Sequence, residues 1–144
     1  MIIGGMTSPT PLSGALRLTD WGVIRAQGAD AASFLHGQLT QDMTSLREGT
    51  ARLAGYCSAK GRLQASFIVW RTDADTLLLA CSADLLAPTL KRLSMFVLRA
   101  KCKLSDASAD WPLVGLVGAE AQAWLGDSAP TPPWATAAAG AGVV

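Results

Sequence analysis

The chain has 144 residues, of which 50% are hydrophobic and 16% charged, and its formal net charge is +1. This length is typical of one domain with one core, and the low charge with high aliphatic content excludes disorder over the whole chain. Near-neutrality argues against a dedicated electrostatic binder of nucleic acid or of an acidic membrane. The chain ends in an apolar run, 135–144.

The N-terminal sequence, the lack of a long apolar run and the use of cysteine favour a cytoplasmic protein. Residues 1–14 lack the pattern of a signal peptide, and no apolar run is long enough for a membrane helix. The three cysteines, Cys57, Cys81 and Cys102, are widely spaced, and His36 is the only histidine. This spacing favours neither a disulfide framework nor a metal site. We expect three reduced cysteines that serve as small buried hydrophobic side chains.

The first half of the chain predicts a strand, a helix and a second strand after a flexible lead-in over 1–14. The strand covers Trp21 to Ala26, and a glycine turn at 28–31 leads into a helix. Ala31, Phe34 and Leu35 fall on one face of this helix, which is therefore predicted to pack on a core. The next strand covers Arg52 to Cys57.

Two hairpin turns and a second helix follow. The turn at 58–61 contains Gly61, which tolerates positive φ, and leads into an alternating strand over 62–71. A second turn at 72–75 leads to a strand over 76–81. A helix capped by Ser82 or Asp84 is then expected, with Pro88 in its first turn. The apolar stripe of this helix comprises Leu86, Leu90, Leu93 and Val97. A further strand is predicted over 99–105, and one of its faces carries a basic ladder of Arg99, Lys101 and Lys103.

A weak internal repeat suggests that a second unit begins near Trp111. Gly28-Ala29-Asp30-Ala31 recurs as Gly118-Ala119-Glu120-Ala121, each time after a short apolar strand. We therefore divide the chain into a lead-in (1–14), a first α+β unit (15–110) and the start of a second β-α unit (111–144), which we expect to be truncated within an interrupted final strand. Strands joined mainly by hairpins predict an α+β fold, an antiparallel sheet with helices on one face and ferredoxin-like character.

The residues alone identify no catalytic centre. Phosphate-loop glycines and paired carboxylates are missing, and a nucleophilic triad would have only His36 as its base. Trp21 could stack on a flat heterocycle or pack on the core. The basic ladder, with Lys91 and Arg92 nearby in sequence, could meet phosphate or polyglutamate, or be a solvated face.

Several segments, in this order, carry a family resemblance: Asp20-Trp21, Gly37-Gln38-Leu39-Thr40-Gln41-Asp42, Ala59-Lys60-Gly61-Arg62 and Gly118-Ala119-Glu120-Ala121. From about Leu16 to about Gly126 the chain resembles the N-terminal half of the folate-binding YgfZ proteins, which are relatives of the glycine-cleavage T-protein, an aminomethyltransferase. The resemblance implies a longer chain of three domains around a cavity for tetrahydrofolate or another folate. It implies that the folate is bound by Trp21, Gln38, Thr40, Asp42, Lys60, Arg62 and Gln64.

The resemblance also bears on activity. A lysine-glycine-cysteine motif of the family's C-terminal half does not occur here, so the three cysteines do not inherit its reactive thiol. Aminomethyltransferases carry an acidic residue where this chain has Gln64 and Ala65, and neither can exchange a proton. This departure favours a YgfZ-type accessory protein, with no catalytic residues assigned, over an aminomethyltransferase.

The accessory reading implies a role in iron–sulfur enzyme maintenance and tRNA modification. Its implied partners are folate and tRNA-modifying iron–sulfur enzymes. The near-neutral composition and the lack of a long apolar run indicate no membrane partner and do not support direct nucleic-acid binding. The second reading is the tetrahydrofolate-dependent aminomethyltransferase. A third is a structural half that binds nothing by itself, because the family's cavity is built between domains.

Overall fold

A computed structural model describes residues 12–140 and 142–144, so most of the lead-in predicted over 1–14 lies outside the described residues. The strands are β1 (Gly14–Arg17), β2 (Trp21–Gln27), β3 (Ala51–Cys57), β4 (Leu63–Asp73), β5 (Thr76–Ser82), β6 (Lys103–Asp106), β7 (Val114–Val117), β8 (Ala138–Ala139) and β9 (Gly142–Val143). The helices are α1 (Ala31–Gln38), α2 (Ala83–Ser94) and α3 (Gly118–Leu125), followed by a 3₁₀ turn (Gly126–Ser128).

The central element is a five-stranded sheet in the order β3-β4-β5-β2-β6, and every neighbouring pair is antiparallel. Hairpin turns join β3 to β4 and β4 to β5. In the first of these turns Gly61 has φ +75°, and the Ser58 N–H donates to the Arg62 carbonyl at 2.8 Å. The α+β antiparallel fold and this hairpin were both predicted, and both are confirmed.

Both faces of the sheet are covered, which explains the uninterrupted apolar sequence of β5. On one face Leu77 and Leu79 pack with side chains of α1 and α2, including Leu35 and Leu93. On the other face Leu78 packs with residues of β2 and β4 and of the segment 107–113. Successive side chains of a strand point to opposite faces, so β5 contributes leucines to two cores. Burying one such side chain contributes about 1.5–3 kcal/mol.

The strand predicted over 99–105 is wrong in its first half, because β6 begins only at Lys103. The backbone of Lys101 is bonded to Asp30, at the start of α1, through both its N–H and its carbonyl group. These bonds hold the preceding residues in bends outside the sheet. Arg99, Lys101 and Lys103 therefore do not form a ladder on one strand face.

The prediction for Pro88 is also wrong, since α2 begins at Ala83 and Pro88 lies in its second turn. Proline has no N–H, so the carbonyl group of Asp84 loses its usual helical donor. The helix continues to Ser94, because Leu86 and Leu93 on its buried face anchor it to the sheet. Val97, expected in the same stripe, follows the helix and packs at the edge of this core.

The strand and helix predicted for the second copy of the repeat are present as β7 and α3. The strand that pairs with β7 was not predicted. β1 pairs with β7, with Gly14 opposite Val117, and this pairing joins segments about a hundred residues apart. The apolar run at the end was predicted as one strand and instead forms a small hairpin of β8 and β9. Ala135, at its start, bridges to Thr50.

Candidate functional site

A groove of about 500 Å³ lies between α2 and the β3–β4 hairpin, and we call it the hairpin groove. The hairpin contributes Tyr56, Leu63 and Gln64 to its wall. The opposite wall is formed by residues of α2 and its C-terminal end, namely Leu85, Pro88, Thr89, Lys91, Arg92 and Met95. The groove therefore combines apolar surface with a small number of polar groups, a composition typical of small-molecule sites.

The charges of the hairpin groove are positive. Lys91 and Arg92 lie in the last turn of α2 and are exposed, and the groove wall contains no acidic side chain among the described residues. Cations at a helix C-terminus also stabilise the helix through its macrodipole, so their position has a structural reason as well. A ligand with an apolar flat body and a negatively charged end matches this arrangement.

Gln64 is the one predicted ligand-binding residue that lines the hairpin groove, and its side chain is exposed. The next residue, Ala65, is buried in the core on the helix side of the sheet. An amide can donate and accept hydrogen bonds, but it has no proton to exchange near neutral pH. Neither position supplies a general acid or base to the groove.

Thr40 ties the end of α1 to the hairpin. Its N–H donates to the Gly55 carbonyl at 2.9 Å, and its Oγ1 accepts from the Gly55 N–H at 2.8 Å. Gly55 precedes Tyr56 of the groove wall, and a side chain at this position would overlap Leu63 and Thr40. Gln38, half-buried, ends α1 two residues before Thr40. Thr40 is therefore brought next to the hairpin and holds the strand that carries Tyr56.

The carboxylate of Asp42 stabilises the loop in which it lies by accepting hydrogen bonds from Thr44 and Ser45. Its Oδ1 accepts from the Thr44 hydroxyl at 2.7 Å, from the Thr44 N–H at 2.9 Å and from the Ser45 N–H at 3.2 Å. These hydrogen bonds, with the Thr44 side chain first, lower the pKa of Asp42 well below its usual range. His36 Nδ1 lies 3.1 Å from the same oxygen, and the Asp42 carbonyl accepts from Arg52 at 2.6 Å.

Trp21, Lys60 and Arg62 lie outside the hairpin groove. Trp21 begins β2 opposite Ser82 and is 37% exposed, at the end of the sheet where β4 also begins. By strand alternation it shares a sheet face with Val23, which packs away from α1 and α2. Lys60 and Arg62 are exposed at the hairpin turn. The structure thus gathers Thr40 and Gln64 around the hairpin and leaves Trp21 on the other face.

Sequence reasoning missed the apolar part of the groove. Leu85 and Met95 are apolar but exposed, and they lie off the buried stripe of α2. Such off-stripe apolar residues were the available signal. Tyr56 could not be recognised in this way, because it also belongs to the core.

Within residues 12–140 and 142–144, no three His, Cys, Asp or Glu side chains cluster so as to hold a metal ion. None of the helices described there has the length and apolarity to span a membrane.

The fold has close counterparts among solved structures. A glycine cleavage system aminomethyltransferase T from Bartonella henselae superposes with a TM-score of 0.75 over 86% of this chain and 35% of that one, at 20% sequence identity. The fold is therefore that of the T-protein class. Residues 14–138 match the family model described as the GCVT N-terminal domain, and the chain belongs to this family.

Relatives with higher sequence identity belong to the YgfZ proteins, the family that the sequence was found to resemble. The chain is 41% identical over 125 residues to the tRNA-modifying protein YgfZ of Edwardsiella ictaluri, covering 85% of this chain and 36% of the relative. It is 30% identical over 117 residues to the tRNA-modifying protein YgfZ of Aliivibrio fischeri, covering 81% of this chain and 36% of the relative. The predicted similarity to YgfZ proteins is confirmed. The chain spans little more than a third of the length of these curated relatives.

Proposed function

We propose that this chain forms a folate-binding part of a YgfZ-type accessory protein that acts in the cytoplasm in tRNA modification and in the maintenance of iron–sulfur enzymes. The observation that carries the folate assignment is the hairpin groove, where Gln64 lies between apolar walls and two cations. The tRNA-modifying name of the relatives supports the wider role.

The chemistry of a reduced folate fits the groove in three parts. The flat pterin and aminobenzoyl rings suit the apolar surface of Tyr56, Leu85 and Pro88. The Gln64 amide can donate to a pterin ring nitrogen and accept from its amino group. The carboxylates of the glutamate tail are attracted by Lys91 and Arg92.

The remaining predicted residues have supporting roles in this proposal. Thr40 holds the end of α1 against the hairpin, Gln38 ends α1 two residues earlier, and Asp42 fixes the loop that follows. Lys60 and Arg62 lie exposed at the hairpin turn, where they add positive charge to the approach. Trp21, on the opposite sheet face, is proposed to stack on a part of the ligand that extends around the end of the sheet.

The competing function is folate-dependent aminomethyl transfer. It would require a group that exchanges a proton close to the folate nitrogen, and Gln64 and the buried Ala65 cannot do so. We therefore expect no transfer of an aminomethyl group from a carrier protein. Transfer activity that depends on this chain would contradict the accessory role.

Calorimetric titration with 5-formyltetrahydrofolate tests the binding site. Gln64→Ala and Arg92→Ala should each weaken binding by roughly tenfold, the effect of losing about 1.4 kcal/mol of interaction free energy. Lys103→Ala is the matched control, an exposed cation outside the groove, and should leave the affinity unchanged. Circular dichroism verifies the fold of each variant. A folded chain that does not bind this folate, or equal losses in all three variants, would refute the site.

A cellular experiment tests the wider role. Cells that lack the gene should lose modified nucleosides in tRNA, measured by mass spectrometry, and the wild-type gene should restore them. The same gene carrying Gln64→Ala should restore them incompletely, whereas Lys103→Ala should restore them fully. Full restoration by Gln64→Ala would separate the cellular role from the groove.

A further inference from the structure

A second and larger cavity, of about 820 Å³, lies on the sheet face opposite α1 and α2. Three indole rings line it, those of Trp70 on β4, Trp111 before β7 and Trp124 on α3, and we call it the tryptophan cavity. The C-terminal hairpin of β8 and β9 contributes another part of the wall. Its volume lies within the range of small-molecule sites.

Trp70 has a hydrogen-bond donor without an acceptor. Its side chain lies against Trp111 in an edge-to-face arrangement, with ring centroids 6.3 Å apart and planes at 73°. The residue is 8% exposed, and its Nε1 is shielded from water and has no acceptor among the residues that the structure describes. Such a buried donor is costly. Because the same shielding keeps a ligand atom away from Nε1, Trp70 offers the cavity its ring surface and not its donor.

The charge of the tryptophan cavity is opposite to that of the hairpin groove. Asp110 and Glu120 line it, and its described wall has no Lys or Arg. Asp110 is paired with Arg25 at 2.7 Å, whereas Glu120, in the first turn of α3, contributes an exposed carboxylate. An anionic ligand is disfavoured here, and a protonated one is attracted by both the carboxylate and the indole faces.

We propose that the tryptophan cavity binds a planar, amino-substituted nitrogen heterocycle in its protonated form, at a site separate from the folate groove. The ring packs on the indoles of Trp111 and Trp124. The amino group of the ligand donates to the Glu120 carboxylate. The two cavities thus select ligands of opposite charge on opposite faces of one sheet.

Two flat bicyclic probes of similar size and opposite charge test this proposal, namely 4-aminoquinoline and naphthalene-1-sulfonate. Binding is measured by calorimetry and by chemical-shift changes of the indole N–H groups. The first probe should bind and shift the indole signals of Trp111 and Trp124, and the second should bind at least tenfold more weakly, a difference of one decade in the dissociation constant.

Variants distinguish binding at a specific site from non-specific hydrophobic binding. Glu120→Gln removes the charge from an exposed position and should weaken 4-aminoquinoline binding by about tenfold. Trp124→Leu, at a side chain that is 73% exposed, is a second variant that does not endanger the core. Trp134→Phe and Glu48→Gln lie outside the cavity wall and should not change the affinity.

Three results would overturn the proposal. The first is equal binding of both probes, or no binding of 4-aminoquinoline. The second is an affinity that Glu120→Gln and Trp124→Leu leave unchanged in folded protein. The third is dimerisation in sedimentation that Trp124→Leu abolishes, since a second copy of the chain would then occupy the cavity. Gln64→Ala should not alter 4-aminoquinoline binding, so this proposal and the folate proposal can fail independently.

Discussion

Asp30 and the backbone of Lys101 are joined by two hydrogen bonds across 71 positions of sequence. The Lys101 N–H donates to Asp30 Oδ2 at 2.7 Å, and the Asp30 N–H donates to the Lys101 carbonyl at 3.0 Å. Asp30 occupies the N-cap position of α1, yet its side chain makes no capping bond to that helix. Its carboxylate instead fixes the segment before β6 against the start of α1.

Asp30→Ala should lower the free energy of unfolding by about 1–3 kcal/mol, because the Lys101 N–H loses a charged acceptor. Asp30→Asn keeps an oxygen acceptor and should cost less. Urea denaturation of the three proteins measures the difference. Asp127→Ala, at an exposed carboxylate in the turn after α3, serves as the control and should be close to neutral. A neutral Asp30→Ala would show that water replaces this contact without loss.

Gly28→Ala should be strongly destabilising, by several times the roughly 1 kcal/mol that an ordinary substitution costs. Gly28 has φ +141°, and a Cβ at this position would overlap the Lys101 carbonyl oxygen and its backbone neighbours. Gly37→Ala is the matched control, because Gly37 lies in α1 with open space around it. It should stabilise the protein by about 0.5–1 kcal/mol, the difference between alanine and glycine in a helix. Thermal and urea unfolding of both variants will check the opposite signs.

Asp42→Asn should remove part of the acid sensitivity of stability. The pKa of Asp42 is lowered by the hydrogen bonds from Thr44 and Ser45, so the folded state binds this proton more weakly than the unfolded state does. The stabilisation is therefore fully present above the unfolded pKa, near 3.8, and is lost as the pH falls below it. The difference in unfolding free energy between wild type and variant should shrink as the pH falls below about 4 and should vanish in strong acid. A difference independent of pH would contradict this assignment.

Cys81 should be the slowest of the three thiols to react with a disulfide reagent such as 5,5′-dithiobis(2-nitrobenzoic acid). Burial, with smaller contributions from Asp106 and Asp84, raises its pKa to about 11, and its side chain is fully buried. Burial also raises the pKa of the half-buried Cys102. Labelling of single-cysteine variants should therefore show Cys81 reacting only on the time scale of unfolding, since the thiolate is the nucleophile. Fast labelling of Cys81 in folded protein would refute its burial.

Local patterns were sufficient for most of the fold. Ala31, Phe34 and Leu35 were placed on the buried face of α1 from their spacing, and β4 was recognised as a strand from its alternation. The structure buries Ala65, Phe67 and Val69 of β4 in the core. The run in β5 was recognised as a strand, although only the sheet shows that both its faces are buried. Such patterns are readable because burial depends on a fixed local period.

The candidate site was accessible only in part. Gln64 was implied by the family resemblance, and it does line the hairpin groove. The other wall of the groove comes from α2, and nothing in the sequence places Leu85 and Met95 opposite Gln64. The tryptophan cavity likewise depends on Trp70 and Trp124 lining one cavity although they lie more than fifty residues apart in the chain.

The sequence by itself thus determined the helices, most strands, the turns and the family, because each depends on neighbours along the chain or on motifs with fixed spacing. Only the tertiary structure decided that β1 pairs with β7, that Lys101 leaves the sheet to bond Asp30, and that the apolar run 135–144 folds back as a hairpin. The first two features depend on contacts between residues far apart in sequence, whose free energy no local pattern contains. The hairpin itself is local, and the run that forms it begins at Ala135, which bridges to the distant Thr50.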